Sequence, residues 1–150
     1  MEERYQALKA RMDQSRHPFL QANIFDRETG KLWREKNLFP SIIVQAGGYK
    51  VGILGLTTTS TPGKTLPKNV ERFEFRGFEA PALEEAKKLR AQGADIVLVT
   101  THEGEGKPGD PIFNFLHALP KGTIDAVVSG HSHTEVHEFV NDVPVIQSKT

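Results

Sequence analysis

Asp95-Ile-Val-Leu-Val-Thr-Thr-His102-Glu-Gly104 and Asp125-Ala-Val-Val-Ser-Gly-His131-Ser-His133 are built alike. Each opens on an aspartate, runs through an apolar stretch and ends on histidine. Ala94–Thr100 and Thr123–Ser129 are nearly continuous apolar runs, the pattern of strands buried on both faces. Between them Asp110-Pro111 opens a helix as N-cap and first-turn proline, with an apolar stripe of Ile112, Phe115, Leu116 and Leu119. Strand, helix and strand over roughly 30 residues make a βαβ unit, so the two strands are expected to be parallel neighbours.

Outward from this unit, Glu79–Gln92 reads as a helix, with Pro81 in its first turn and Gly93 past its end. Ala82, Leu83, Ala86 and Leu89 are its buried stripe, and Glu84 and Lys88 pair at i, i+4. Ser41–Ala46 and Tyr49–Leu56 flank Gly47-Gly48 and predict an antiparallel hairpin. Val136–Val140 and Val143–Gln147, around Asn141-Asp142, predict a second hairpin. Tyr5, Leu8 and Met12 mark one face of a helix over Glu2–Gln14. Phe19–Phe25 reads as one short strand, Asp26–Asn37 as a polar stretch with a turn at Thr29-Gly30, and Thr57–Asn69 as a loop. The expected class is α/β with antiparallel additions.

Composition narrows the function classes. The chain has 150 residues, 19 basic and 19 acidic side chains and therefore no net charge. That argues against a nucleic-acid binder held by bulk charge. Six histidines and no cysteine exclude a disulfide scaffold or thiolate zinc site and direct attention to His/carboxylate metal chemistry. No apolar run approaches the roughly 18–20 residues of a transmembrane segment. The opening Met-Glu-Glu-Arg-Tyr shows no signal peptide.

Parallel neighbours end on the same edge of their sheet, where open α/β sheets hold ligands. His102, His131 and His133 are thus delivered to one place. Imidazole is a common metal ligand, and Gly130 permits close backbone approach. These three are the candidate metal ligands. His17 precedes a proline in a loop, His117 lies off its helix stripe, and His137 alternates with Val136 in a hairpin strand. No ligand role is expected of them. Thr61-Pro-Gly-Lys-Thr65 imitates the end of a phosphate-binding loop. However, Thr58 stands where that motif needs its first glycine, and no helix with an apolar stripe follows.

Together with Ala22-Asn-Ile24 and Val51-Gly-Ile-Leu-Gly-Leu-Thr-Thr58, the two His-terminated strands resemble the bacterial 5′-nucleotidase group of the calcineurin-like metallophosphoesterases. That group includes 2′,3′-cyclic nucleotide phosphodiesterases. The resemblance runs from about Arg4 to Thr150. It implies an αββα sandwich with two divalent metal ions (zinc, manganese or iron) at the C-terminal ends of its strands. By the resemblance His102 and His131 bind one metal and His133 the other. The family draws its remaining ligands from Asp-x-His, Gly-Asp and Gly-Asn-His-acid motifs, the last carrying its catalytic histidine. None stands ahead of the two strands in this sequence. On that resemblance residues 1–150 are expected to be the C-terminal portion of a catalytic domain, with its N-terminal part and any substrate domain lying elsewhere. No catalytic residue is then expected in this chain.

Electrostatics points the same way. Two divalent ions carry a charge that three neutral imidazoles cannot offset, and a dinuclear site needs carboxylates. Asp95 and Asp125 lie at the opposite edge from the histidines. Glu103, Glu105 and Asp110 are in the right loop, but nothing marks Glu103 as a bridging ligand. The expected function is metal-dependent hydrolysis of nucleotide or other phosphoester substrates, with this chain carrying part of the site and inactive alone. Two rivals are a mononuclear zinc hydrolase on three histidines and a non-catalytic fragment or binding module. Exposed sheet edges predict self-association. The family suggests a periplasmic or extracellular setting.

Overall fold

A computed structural model describes residues 2–104 and 108–149. The elements in chain order are α1 (Glu2–Gln14), β1 (Phe19–Leu20), β2 (Ile24–Asp26), β3 (Leu38–Phe39), β4 (Ser41–Ala46) and β5 (Tyr49–Thr57). There follow α2 (Thr61–Lys64), a 3-10 turn (Pro67–Asn69), β6 (Phe73–Phe75), α3 (Glu79–Ala91), β7 (Ile96–His102), α4 (Pro111–Ala118), β8 (Ala126–Val128), β9 (Val136–Val140) and β10 (Val143–Gln147). The class is mixed α/β. Its main sheet has six strands in the order β4-β5-β7-β8-β10-β9.

The βαβ expectation holds. Strands β7 and β8 are parallel neighbours, with Leu98 beside Ala126 and Thr100 beside Val128. Strands β5 and β10 flank them in parallel, and both hairpins form as antiparallel pairs. The opening aspartates set this register. Asp95 donates its N–H to the carbonyl of Lys50 (2.8 Å) and accepts the Lys50 N–H on its carboxylate (2.8 Å). Asp125 clasps Val97 in the same two-point way, at 2.9 and 2.6 Å.

Helices α3 and α4 share one face of the sheet. Leu54, Val97, Val99, Val127 and Val145 meet Ala82, Ala86, Leu89, Ile112, Phe115 and Leu116 there in one buried cluster. Asp110 caps α4 by accepting the Ile112 N–H at 2.7 Å. Glycine is needed at position 52, where a Cβ would stand 2.9 Å from the Leu89 side chain. On the other face Gly55 admits β1, since a Cβ would fall 2.3 Å from the Leu20 carbonyl oxygen. Much of that second face is open, and Val128, Ile146 and Phe139 are exposed.

Several local expectations are corrected. Phe19–Phe25 is two strands, not one, because Gln21 and Asn23 turn inward and bond to main chain instead of continuing a ladder. Asp26–Asn37 is not merely polar. Trp33 joins Met12, Ile24, Leu38 and Phe73 in a second buried cluster that fixes α1. Leu8 leaves the predicted stripe of α1 and is exposed. In α3 Leu83 is partly buried and packs against the core cluster, and Glu85 is buried as well, bonded to Ser41 and Lys88. The predicted Glu84–Lys88 pair forms. The loop after β5 contains α2, a single turn with no buried residue, and leads to the unpredicted β6, which pairs with β2. Among the described residues no helix is long and apolar enough to cross a membrane.

Candidate metal centre

His102 is the last residue of β7, and His131 follows β8 by three positions. Parallel pairing brings their rings together at the C-terminal edge of the sheet. His131 Nδ1 lies 3.0 Å from His102 Nε2. The rings meet edge to face, with centroids 4.8 Å apart. Two imidazole nitrogens about 2.1 Å from a shared cation would stand about 3.0–3.4 Å apart, for bond angles between a right angle and tetrahedral. At this separation the two rings share a hydrogen bond, and the same spacing is that of two nitrogens along one edge of a coordination polyhedron.

His133 lies two residues further on and is exposed. Among the described residues no three His, Asp or Glu side chains are grouped closely enough to hold a metal ion. Two of the three candidate histidines are thus brought together here. His131 and His133 both have left-handed backbones, with φ of 102° and 57°. For residues other than glycine this costs energy and persists only where surrounding contacts enforce it.

Gln147 supplies that enforcement. It is buried at the end of β10, and its amide donates to Ser132 Oγ and to the Thr134 carbonyl, both at 2.6 Å. Ser129, at the end of the second strand, donates its hydroxyl to the Gly104 carbonyl at 3.1 Å and so ties the two histidine loops together. Sequence reasoning missed Gln147. The signal was its place on the inward face of the alternation Val143, Val145, Gln147.

A second missed contact lies on the other side. Thr58 continues the inward alternation Leu54, Leu56 and is buried. Its hydroxyl donates to Glu103 Oε2 at 2.5 Å, and the other oxygen of that carboxylate accepts the Gly104 N–H at 3.1 Å. Asn23, fully buried, braces the same loop by bonding to the Thr57 main chain. Thr101 Oγ1, next to His102, is buried with no hydrogen-bond partner among the described residues.

A hollow of about 360 Å³ opens beside the pair, lined by Leu20, Thr57, Thr100, His102, Val128 and Gly130. Of the other acids named in the sequence, Asp110 is spent on the cap of α4 and Glu105 lies outside the described residues. Asp95 and Asp125 are at the far edge, as expected. His117 stacks on Phe113 and bonds to its carbonyl, and His137 contacts Glu135.

No protein-family model matches the chain. A 5′-nucleotidase of Vibrio cholerae is 33% identical over 130 residues, which is 79% of this chain and 22% of that protein. The chain thus spans about a fifth of the length of the relatives it matches. Among solved structures, the sulfate thiohydrolase SoxB of Thermus thermophilus superposes with a TM-score of 0.82 at 23% identity, over 99% of this chain and 25% of that one. A 5′-nucleotidase precursor of the same organism gives 0.71 at 23% identity, over 95% of this chain and 30% of that one. At this level of identity the two structures show a shared fold.

Proposed function

Because the chain is homologous to bacterial 5′-nucleotidases over about four-fifths of its length, we propose that it forms part of the metal centre of a metal-dependent phosphoester hydrolase acting on nucleotides. The observation that carries this reading is the His102–His131 pair, held 3.0 Å apart at the C-terminal edge of the sheet. The enforced left-handed backbones of His131 and His133 support it. Strain of this kind is retained where a function needs the geometry.

His102 and His131 would hold one divalent cation, and His133 would contribute to a second. A bound cation of this kind supplies Lewis-acid neutralisation of a phosphoryl group and activation of water. The chain's own residues do the positioning. Gln147 fixes the turn that carries His131 and His133. Ser129 ties that turn to the loop after β7. The adjacent hollow offers the Thr57 and Thr100 side chains and an apolar wall from Leu20 and Val128 to a phosphoester. With no group of three ligands among the described residues, the remaining ligands come from outside this set. The chain alone then binds metal weakly and turns over little substrate.

Calorimetric titration with zinc or manganese tests the reading. One weak site should appear, and His102→Ala and His131→Ala should each abolish it. Unchanged binding in both variants would refute the assignment. Robust nucleotidase turnover by the purified 150-residue chain would refute the claim that it carries only part of the centre.

A further inference from the structure

We propose that the open face of the main sheet is a dimer interface, on which a second copy of this chain stacks sheet against sheet. The inference does not depend on the metal-centre reading. Strand register lays the face out. One rung runs through Ile42, Ile53, Leu98 and Ala126, from β4 to β8. Another runs through Thr100, Val128, Ile146 and His137, from β7 to β9. Among the described residues, none of the side chains that these six strands turn to this face is Asp, Glu, Lys or Arg.

A sheet face left in water ordinarily carries the polar side chains of each strand's alternation. This one is apolar, and Val44, Val128, Ile146 and Phe139 are exposed on it. Six strands about 4.8 Å apart and about five residues long give it on the order of 400 Å² in plan. A continuous apolar patch of that size marks an interaction site.

The face carries a knob and a hole of its own, which selects a second copy as the occupant. Phe139 projects from β9 and is 78% exposed. Beside it lies a hollow of about 510 Å³, lined by Val128, His137, Ile146, Glu135 and Lys149. A twofold contact needs both halves of the fit on one surface, so that Phe139 of each copy enters the hollow of the other. An uncharged face on a chain with no net charge also meets its own copy without repulsion. Sheets stacked about 10 Å apart interdigitate such side chains. Two faces of this size match a weak, reversible contact, so dissociation is expected in the micromolar range.

Sedimentation velocity of the full chain, from low micromolar to near millimolar concentration, tests this. A chelator in the buffer removes any association bridged by metal at the histidines. Wild type should pass from monomer to dimer. Phe139→Ala removes the knob and Ile146→Glu puts a charge in the hole, and each should weaken the dimer by about tenfold or more. Both positions are exposed, so each variant should keep the wild-type circular dichroism spectrum. Glu138→Lys alters β9 on its other side and should dimerise as wild type does.

A wild type that stays monomeric throughout would overturn the inference. So would a dimer that survives both Phe139→Ala and Ile146→Glu. Equal weakening by Glu138→Lys would overturn it too, by placing the contact along the edge of β9 instead of on the face. Should one face variant fail to fold, the other decides.

Discussion

Replacing Asn23 tests the frame that carries the centre. Its side chain is fully buried and makes three bonds, all to main chain. The amide nitrogen donates to the carbonyls of Thr57 (2.7 Å) and Arg76 (2.8 Å), and the amide oxygen accepts the Thr57 N–H (2.8 Å). Asn23→Ala strands one N–H and two carbonyls between three chain segments. At about 1–1.5 kcal/mol for each bond lost, the expected destabilisation is about 3–4.5 kcal/mol. That is a large share of the roughly 5–15 kcal/mol typical of a domain. At about 2–4 °C per kcal/mol for a chain of this length, the Tm should fall by about 6–18 °C. Urea and thermal unfolding followed by circular dichroism measure both quantities.

Asn23→Asp sharpens the test. It keeps the acceptor for Thr57 N–H but turns the donor into a second oxygen facing two carbonyls. Burial among acceptors raises the carboxyl pKa in the folded state. The variant should therefore be at least as unstable as Asn23→Ala at pH 7. It should regain stability relative to wild type at the same pH as the carboxyl protonates and donates again. A loss below about 1 kcal/mol for Asn23→Ala would refute the argument that these bonds hold the loop.

Three further outcomes are expected. Phe115 is fully buried, edge-on to Phe78 at 5.7 Å, so Phe115→Ala should cost about 3–5 kcal/mol in guanidinium unfolding, and a cost under about 2 kcal/mol would contradict its core role. Gly55→Ala should destabilise by about 1–3 kcal/mol, because the new methyl meets the Leu20 carbonyl. Gly63→Ala, with nothing within 4 Å, should be close to neutral, and equal effects would refute the close-approach argument. The hydrogen bond from Arg72, with those from Thr29, lowers the Asp26 carboxyl to about 2. Its stabilising contribution is present above the ordinary aspartate value of about 4 and lost as pH falls from there towards 2. The stability gap between wild type and Asp26→Asn should therefore shrink across that window and stay flat above it.

The parts of the fold legible in the sequence were those where one local signal determined one element. Apolar runs flanked by turn residues marked β7 and β8. Proline and glycine bracketed α3, and Asp110-Pro111 opened α4. What could not be read depended on contacts between distant segments. Strand β6 is three residues long and exists through its pairing with β2. Phe19–Phe25 breaks because Gln21 and Asn23 find main-chain partners at Trp33, Thr57 and Arg76.

The centre divides in the same way. His102 and His131 were visible because each ends a recognisable strand. Gln147, Thr58 and Asn23 are single polar residues at inward positions, and their roles appear only when loops from four strands converge. Glu103 was noticed beside His102, but its burial against Thr58 is a property of the folded chain.

The clasps at Asp95 and Asp125 carry one more consequence. They act at the opposite edge of the sheet, seven residues before His102 and six before His131, or about 20 Å away along an extended strand. A slip of one residue in a β ladder turns every following side chain to the other face. The meeting of the two imidazoles is therefore specified where neither is present, and the strand between transmits the alignment as a ruler would. Anyone transplanting this pair into another parallel sheet would need to carry along Asp125, whose clasp on Val97 joins the two histidine strands, while Asp95 aligns the first of them with β5.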